Sequence, residues 1–506
     1  MNNNQSIEIN VSEETLESSN TNLEKHENLA ELQETKRESS EISEITLIDF
    51  ADVADIESTT IYSSYDDPKN WSPKKKILIL IIISLTSMIS PMANTMYYPA
   101  VIDVRHYFRT TDNECNEFLN IYVVSVYVFF TGTAPLFVGG FSDVYGNRRH
   151  LYLIALSLFV VPSVVCALVK NVWVLIAMRS LQACGSSSTQ CLGAGVISDI
   201  YVPTERGRAY GIMYLGFYIG DLGGPIIGGY LTESLGFKWI FWLLASLGCI
   251  LFLIIFFFLP ETFRRNNISS SLQLSYTLKQ AFQKVNPLIP LKLLRFPNVA
   301  LKIVYMSSIW AFMYVQNVII PTFSDTYKLS SFTIGLTFLA PGIGYLIGSV
   351  IGGRYSDYVL AKYESDHDGQ SYPEVRLKSI WIGSILIPIS YCAFGWLLQF
   401  KINLIFPIIA MFIGGTGSLF VFNSTITYLV DSYPEFSASA IALSDFIPCT
   451  LATAYIIMTV PIRNAIGIGW LFTILASINL LSISCIILVY FKGKNWREKQ
   501  NTNGNL

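Results

Sequence analysis

From Lys76 to Phe491 the chain is a succession of apolar stretches, most about twenty residues long, separated by polar turns. About twenty helical residues, rising about 1.5 Å each, cross a ~30 Å hydrocarbon layer. A helix also satisfies its own backbone polar groups where no water is at hand. The chain therefore reads as an all-α polytopic membrane protein. With 52% hydrophobic and only 14% charged residues, it has too little polar surface to cover a soluble globule of this size.

The runs predict twelve spans. Six lie near residues 77–98, 117–138, 151–169, 172–195, 208–231 and 239–259, and six near 301–323, 333–352, 378–399, 404–428, 437–460 and 470–491. The predicted organisation is a tail over 1–66, a six-helix half over 67–259, a linker over 260–298, a second six-helix half over 299–491 and a short tail over 492–506. Positive charge near span ends is retained on the cytoplasmic side. One side collects Lys74, Lys75, Lys76, Arg148, Arg149, Arg206, Arg208, Arg354, Arg376, Lys378, Lys492, Lys494 and Arg497. Both termini are thus expected in the cytosol.

The net charge of −3 conceals two opposite regions. Residues 1–67 hold 17 acidic and 3 basic residues, net −14, so the remainder is net +11. An acidic segment with few aromatics has little to bury and reads as a disordered cytosolic tether. Its start lacks the basic-then-apolar form of a cleaved leader, leaving the first span as the targeting element.

Several function classes fail on context. Seven of eight cysteines lie in apolar spans and only Cys115 in an outer loop, which argues against a disulfide framework. The histidines, His26, His106, His150 and His367, lie outside the spans and away from metal-ligand spacing, so no metal or cofactor is expected. There is no GxxxxGK[ST] loop, and Gly342, Gly344 and Gly348 belong to a span rather than a strand-to-helix turn. A linker of about forty residues is too short to fold into an ATPase motor. An ion gradient remains as the energy source for active transport.

The informative residues are glycine, proline and ionisable groups in and beside the spans. Gly139 to Arg149 (GGFSDVYGNRR) allows a tight turn and close helix approach, and places Asp143 and Arg148 at the cytoplasmic edge, with Asp199 as the acidic partner of Arg148. Gly352-Gly353-Arg354-Tyr355-Ser356-Asp357 echoes it 214 residues later, which suggests an internal duplication. Arg179, in RSLQACG, must face protein or water, because a charge inside an apolar run costs about 2.5–3.5 kcal/mol on insertion scales. Gly220, Asp221, Gly224, Pro225, Gly228 and Gly229 describe a bent, close-packed helix carrying one acid.

These stretches resemble motifs A, B and C of the major facilitator superfamily, in that order: Gly139–Arg149, Arg179–Gly185 and Gly220–Gly229. DPKNWS from Asp67, DIYVPTERGRA from Asp199, PET at Pro260, PEVRL at Pro373 and YLVDSYP at Tyr428 resemble the fungal twelve-span drug:proton antiporters, within them the quinidine-resistance and dityrosine-exporter branch. Val144 and Asn147 stand where motif A usually has basic residues, so the inner gate rests on Gly139, Asp143, Gly146, Arg148 and Asp199, with Arg354 and Asp357 as the second-half counterpart. The resemblance implies two pseudo-symmetric six-helix bundles around a central cavity that exports small organic compounds, amphipathic or cationic molecules or weak acids, in exchange for protons. Candidates for proton coupling are Asp221, Asp445 and Arg179. The fold implied nominates Asn94, Tyr97, Gln190, Tyr214, Trp310, Tyr314, Gln316, Asn317 and Asn423, together with Asp445, for cargo contact. The expected partners are small-molecule substrate, protons and the lipid bilayer, with no nucleic acid, in a monomer at the plasma membrane. Alternatives are a proton symporter importing amines or sugars and a nutrient sensor that has lost transport; a membrane-bound enzyme is disfavoured, since no nucleophilic constellation lies in or beside the spans.

Overall fold

The structure, a computed structural model, describes residues 68–108, 113–145, 147–263, 290–367, 372–433 and 437–502. The predicted acidic tail and most of the linker lie outside the described residues. Two units are distinguished, Met1–Trp71 and Ser72–Leu506. Of the first, one 3-10 turn, Pro68–Asn70, is described.

The second unit is helical throughout its described residues. Its long helices are α1 (Pro73–Thr95), α2 (Asn113–Tyr145), α3 (Arg148–Leu168), α4 (Val172–Ile200), α5 (Pro203–Leu235) and α6 (Lys238–Phe258). The second set is α7 (Pro297–Ile319), α8 (Ser331–Asp366), α9 (Trp381–Gln399), α10 (Ile405–Ser432), α11 (Ser437–Ile466) and α12 (Ile468–Thr502). Proline opens α1, α5 and α7, where a missing N–H removes no helical hydrogen bond. Asn147 and Asn171 cap α3 and α4 by accepting from backbone N–H groups. Gly236 (φ 94°) and Gly467 (φ 88°) follow α5 and α11, at a backbone geometry that a Cβ disfavours.

Ten of these helices are apolar enough to cross a membrane by composition. The other two, α4 and α5, are long enough but carry the polar groups of the site: Arg179, Gln182 and a run of serines on α4, and Asp221 on α5. Several helices outrun the predicted spans; α2 continues to Tyr145 and α12 to Thr502. Apolarity marks the edge of the lipid, whereas helical hydrogen bonding continues into water.

The pairing pattern occurs twice. In the first half α1 packs on α5, α2 on α4, and α3 on α4 and α6; in the second, α7 packs on α11, α8 on α10, and α9 on α10 and α12. The halves meet along α2–α11 and α5–α8. Glycine stripes set the closest of these contacts: a Cβ at Gly220 or Gly228 would overlap the α1 backbone, and one at Gly348 the carbonyl of Thr416 on α10. Phe257 and Leu481, 71% and 73% exposed, turn their apolar side chains outward, as lipid contact requires.

Candidate functional site

The turn between α2 and α3 is tied down from several directions. Arg148 Nε meets Asp199 Oδ2 at 3.2 Å, its Nη1 donates to Ser142 Oγ, and its guanidinium lies 5.2 Å from the Phe263 ring. Glu261, in the segment after α6, accepts from the backbone N–H groups of Arg148 (3.0 Å) and Arg149 (3.1 Å), while Thr262 Oγ1 donates to Asp199 (3.3 Å). Thus α2, α4 and the chain leaving α6 converge on one guanidinium. The side chain of Asp143, and Gly146 altogether, lie outside the described residues.

The second half repeats this arrangement with different sequence spacing. Arg376, in the turn before α9, contacts Asp357 Oδ1 and Asp431 Oδ2, each at 2.7 Å, with Ser356 Oγ at 3.5 Å from Nη1. Burial opposes the charge on Arg376, but the hydrogen bonds and attraction of Asp357 and Asp431 outweigh it and hold the guanidinium above its ordinary range. Arg354 is exposed, so the arginine that engages Asp357 is Arg376. Glu374, fully buried beside it, pairs with Arg497 of α12 at 3.0 Å.

Midway through the first half, Arg179 is completely buried. Its Nη1 donates to Ala93 O (3.0 Å) and Gln182 Oε1 (2.8 Å), and its plane faces the rings of Tyr127 (4.1 Å) and Tyr97 (5.0 Å). Gln182 in turn donates to Ser163 Oγ at 2.7 Å. Arg179 thereby joins α1, α2, α3 and α4, shielded by aromatic faces. Tyr97 belongs to this interior cluster rather than to the gap between halves.

Asn94, Gln190, Tyr214, Asp221, Trp310, Tyr314, Asn317, Asn423 and Asp445 are all of intermediate exposure. Gln316 is buried on α7. Trp310 packs against Tyr314 (5.8 Å) and Phe422 (6.2 Å), and Asn423 is oriented by donating to Ser349 O (2.9 Å) and Oγ (2.8 Å). Asp221 acts electrostatically on Tyr98 and Tyr218 in its own half and on Tyr314 and Tyr345 across the seam. Among the described residues no cation acts on Asp221.

The outer end of the gap is closed. Tyr98 stacks on Phe338 (5.8 Å between ring centres), Ser331 Oγ donates to Asp103 (3.2 Å), and the Phe332 N–H donates to Glu233 (3.0 Å). Above this seal lies a cavity of about 350 Å³, lined by Ile102, Arg105 and Ile121 from one half and by Pro321, Thr322 and Arg463 from the other. At the opposite end Arg354 and Asp357 are exposed.

The seal has a pH dependence of definite sign. Hydrogen bonds from the Ser330 hydroxyl and the Phe332 N–H hold the Glu233 carboxyl below its ordinary range. A depressed carboxylate supports the contact above its ordinary pKa, about 4.3, and loses it as external pH falls through the lowered value. Thiol labelling of Asn94→Cys, which lies beneath the Tyr98–Phe338 stack, should rise as external pH falls through that lowered value. Adding Glu233→Gln, whose amide oxygen still accepts from the Phe332 N–H but does not titrate, should keep labelling low and insensitive to pH; a pH-sensitive signal in that variant would show that Glu233 does not govern the seal.

Two six-helix halves that repeat one packing pattern and meet along a seam have the architecture of a multi-pass membrane transporter of small molecules rather than an enzyme. The Major Facilitator Superfamily profile matches residues 83–455, and the chain belongs to that superfamily. It is 32% identical to the MFS transporter cpaT of Aspergillus oryzae, over 85% of this chain and 89% of that one. It is 27% identical to the MFS antiporter QDR3 of Candida albicans, over 86% and 80%. Both relatives are fungal transporters of the same superfamily. Among solved structures, the D-xylose-proton symporter aligns with a TM-score of 0.60 at 16% identity, over 81% of this chain and 97% of that one, and shows the fold alone.

The sequence singled out the Arg148–Asp199 pair, which the structure forms, but not the contact of Arg376 with Asp357 and Asp431, nor Tyr98 and Lys302. Arg376 and Asp431 were visible within PEVRL and YLVDSYP. Extending the Arg148–Asp199 logic to the second half would have singled them out.

Proposed function

We propose that the chain is a proton-coupled antiporter that exports small amphipathic organic compounds, cationic ones and weak acids among them, by alternating access. The reading rests on Asp221, a carboxylate without a cationic neighbour at the seam where α5 meets α8, acting on tyrosines of both halves. A charge so placed is costly unless a proton or a cationic cargo neutralises it. Its occupancy is then coupled to which face is open, as a gradient-driven cycle requires. Aromatic and amide groups of the gap suit cargo with an apolar body and few polar points.

Direction is supported by relatives named as an antiporter and as an efflux pump, the latter radE of Floropilus chiversii. In this reading Arg148–Asp199 and Arg376–Asp357–Asp431 are paired fastenings of the inner gate, Arg179 stiffens the first half beside the coupling acid, and the α5 glycines let the halves rock. The protein works as a monomer in the plasma membrane, with both termini, the acidic tail 1–66 and the linker 260–298 in the cytosol.

The test uses inside-out vesicles with an acidic lumen and a panel of labelled organic cations, weak acids, amines and sugars. An antiporter accumulates cargo in the lumen, and a protonophore abolishes the accumulation. Uptake only when the external medium is the acidic side indicates symport instead, and no flux of any panel member under either gradient indicates a sensor.

A further inference from the structure

Lys302, on α7, is fully buried, although nothing in its apolar surroundings, Val299 and Ile303 on its own helix and Leu443 on α11, calls for a charge. Its Nζ donates to Ser444 Oγ at 3.0 Å, and Ser444 is itself buried. The next residue, Asp445, makes no direct ion-pair contact with Lys302 but is close enough for each to act electrostatically on the other. The other titratable groups within reach of Asp445 are Tyr314 on α7, Tyr214 on α5 of the opposite half and Cys449 on its own helix, so Lys302 is the only basic group among them.

Packing does not require this charge. In the first half the corresponding helix pair, α1 and α5, is joined by neutral hydroxyls: Ser84 Oγ donates to Ile212 O (2.9 Å) and Ser87 Oγ to Met213 O (2.8 Å). A buried ion pair contributes little net stability compared with apolar or neutral side chains of similar shape, whereas breaking one partner of it is strongly unfavourable. The second half thus carries an ammonium where the pseudo-symmetric contact is made without one.

We propose that Lys302 is the resident counter-charge of Asp445, a positioning residue that keeps this acid ionised at the edge of the gap and leaves proton exchange to Asp221. The two acids then have separate tasks. Asp221, without a cation, must be neutralised in each cycle; Asp445, neutralised from within its own half, offers a fixed charge beside Tyr214 and Tyr314. The consequence for coupling rests on the antiport reading, but the pair itself does not.

The experiment compares the purified full chain with Lys302→Met, Asp445→Asn and the double variant by thermal unfolding, and compares vesicle transport across pH for wild type, Lys302→Met and Lys302→Arg. Each single change should lower the melting temperature, and the double variant should melt higher than either single, since it leaves no unpaired buried charge. The pH profile of Lys302→Met should be displaced by about one to three units, the range over which an adjacent opposite charge acts on a carboxyl, while Lys302→Arg stays close to wild type. Additive losses of stability overturn the pair. Non-additive losses with an unmoved profile overturn its part in coupling. If wild type shows no gradient-driven transport, the antiport reading fails while the unfolding comparison still decides the pair.

Discussion

Asparagine in place of Asp221 should leave a protein that reaches the membrane and equilibrates cargo but no longer concentrates it. The side chains are nearly isosteric, and an amide can still hydrogen-bond in a gap lined by phenols, so the α5–α8 seam is preserved. What disappears is a group at the middle of that seam that can alternate between charged and neutral. A proton moving down 100 mV releases about 2.3 kcal/mol, and one pH unit adds about 1.4 kcal/mol. Together they sustain a cargo ratio of some hundreds, at roughly tenfold per 1.4 kcal/mol. In Asp221→Asn the ratio in inside-out vesicles should fall to about one, while counterflow of labelled against unlabelled cargo persists. Retention of the wild-type ratio would falsify the assignment of Asp221 as the exchanging acid.

The architecture was legible because lipid constrains length and polarity residue by residue, so apolar runs mark spans almost directly. The first-half inner fastening was legible too, because Arg148 and Asp199 sit in charged turns at the ends of successive helices. Its second-half counterpart was not. Arg354 lies in the echoed motif, yet the guanidinium that contacts Asp357 comes from Arg376, nineteen positions later and across a turn, and reach across a turn is a tertiary fact. Tyr97 and Tyr98 make the same point at closer range. Adjacent in the turn that follows α1, they face different partners: Tyr97 lies under Arg179 and Tyr98 on Phe338 in the outer seal. Lys302 escaped because a lysine near the start of an apolar run ordinarily extends its ammonium back to the interface; only the packing of α7 on α11 shows it turned inward to Ser444.

The sharpest contrast lies between two glycines that sequence alone would treat as the same kind of device. A Cβ at Gly228 would overlap the Met96 backbone inside the first half, whereas a Cβ at Gly335 would overlap the Pro225 carbonyl across the seam between halves. Gly228→Leu should therefore damage folding of its own half, with little protein recovered in the membrane at any pH. Gly335→Leu leaves both halves' interiors untouched and obstructs only their approach at the outer end. Overpacking of this kind costs about 1–3 kcal/mol. Since only the outward-closed state bears that cost, the equilibrium moves toward outward-open by roughly 5- to 150-fold. Gly335→Leu should be expressed and stable, label readily at Asn94→Cys from outside, and lose transport by about the same factor. Normal transport with Asn94→Cys still protected would mean that the α5–α8 contact is a static join, and that closure of the outer face is governed elsewhere.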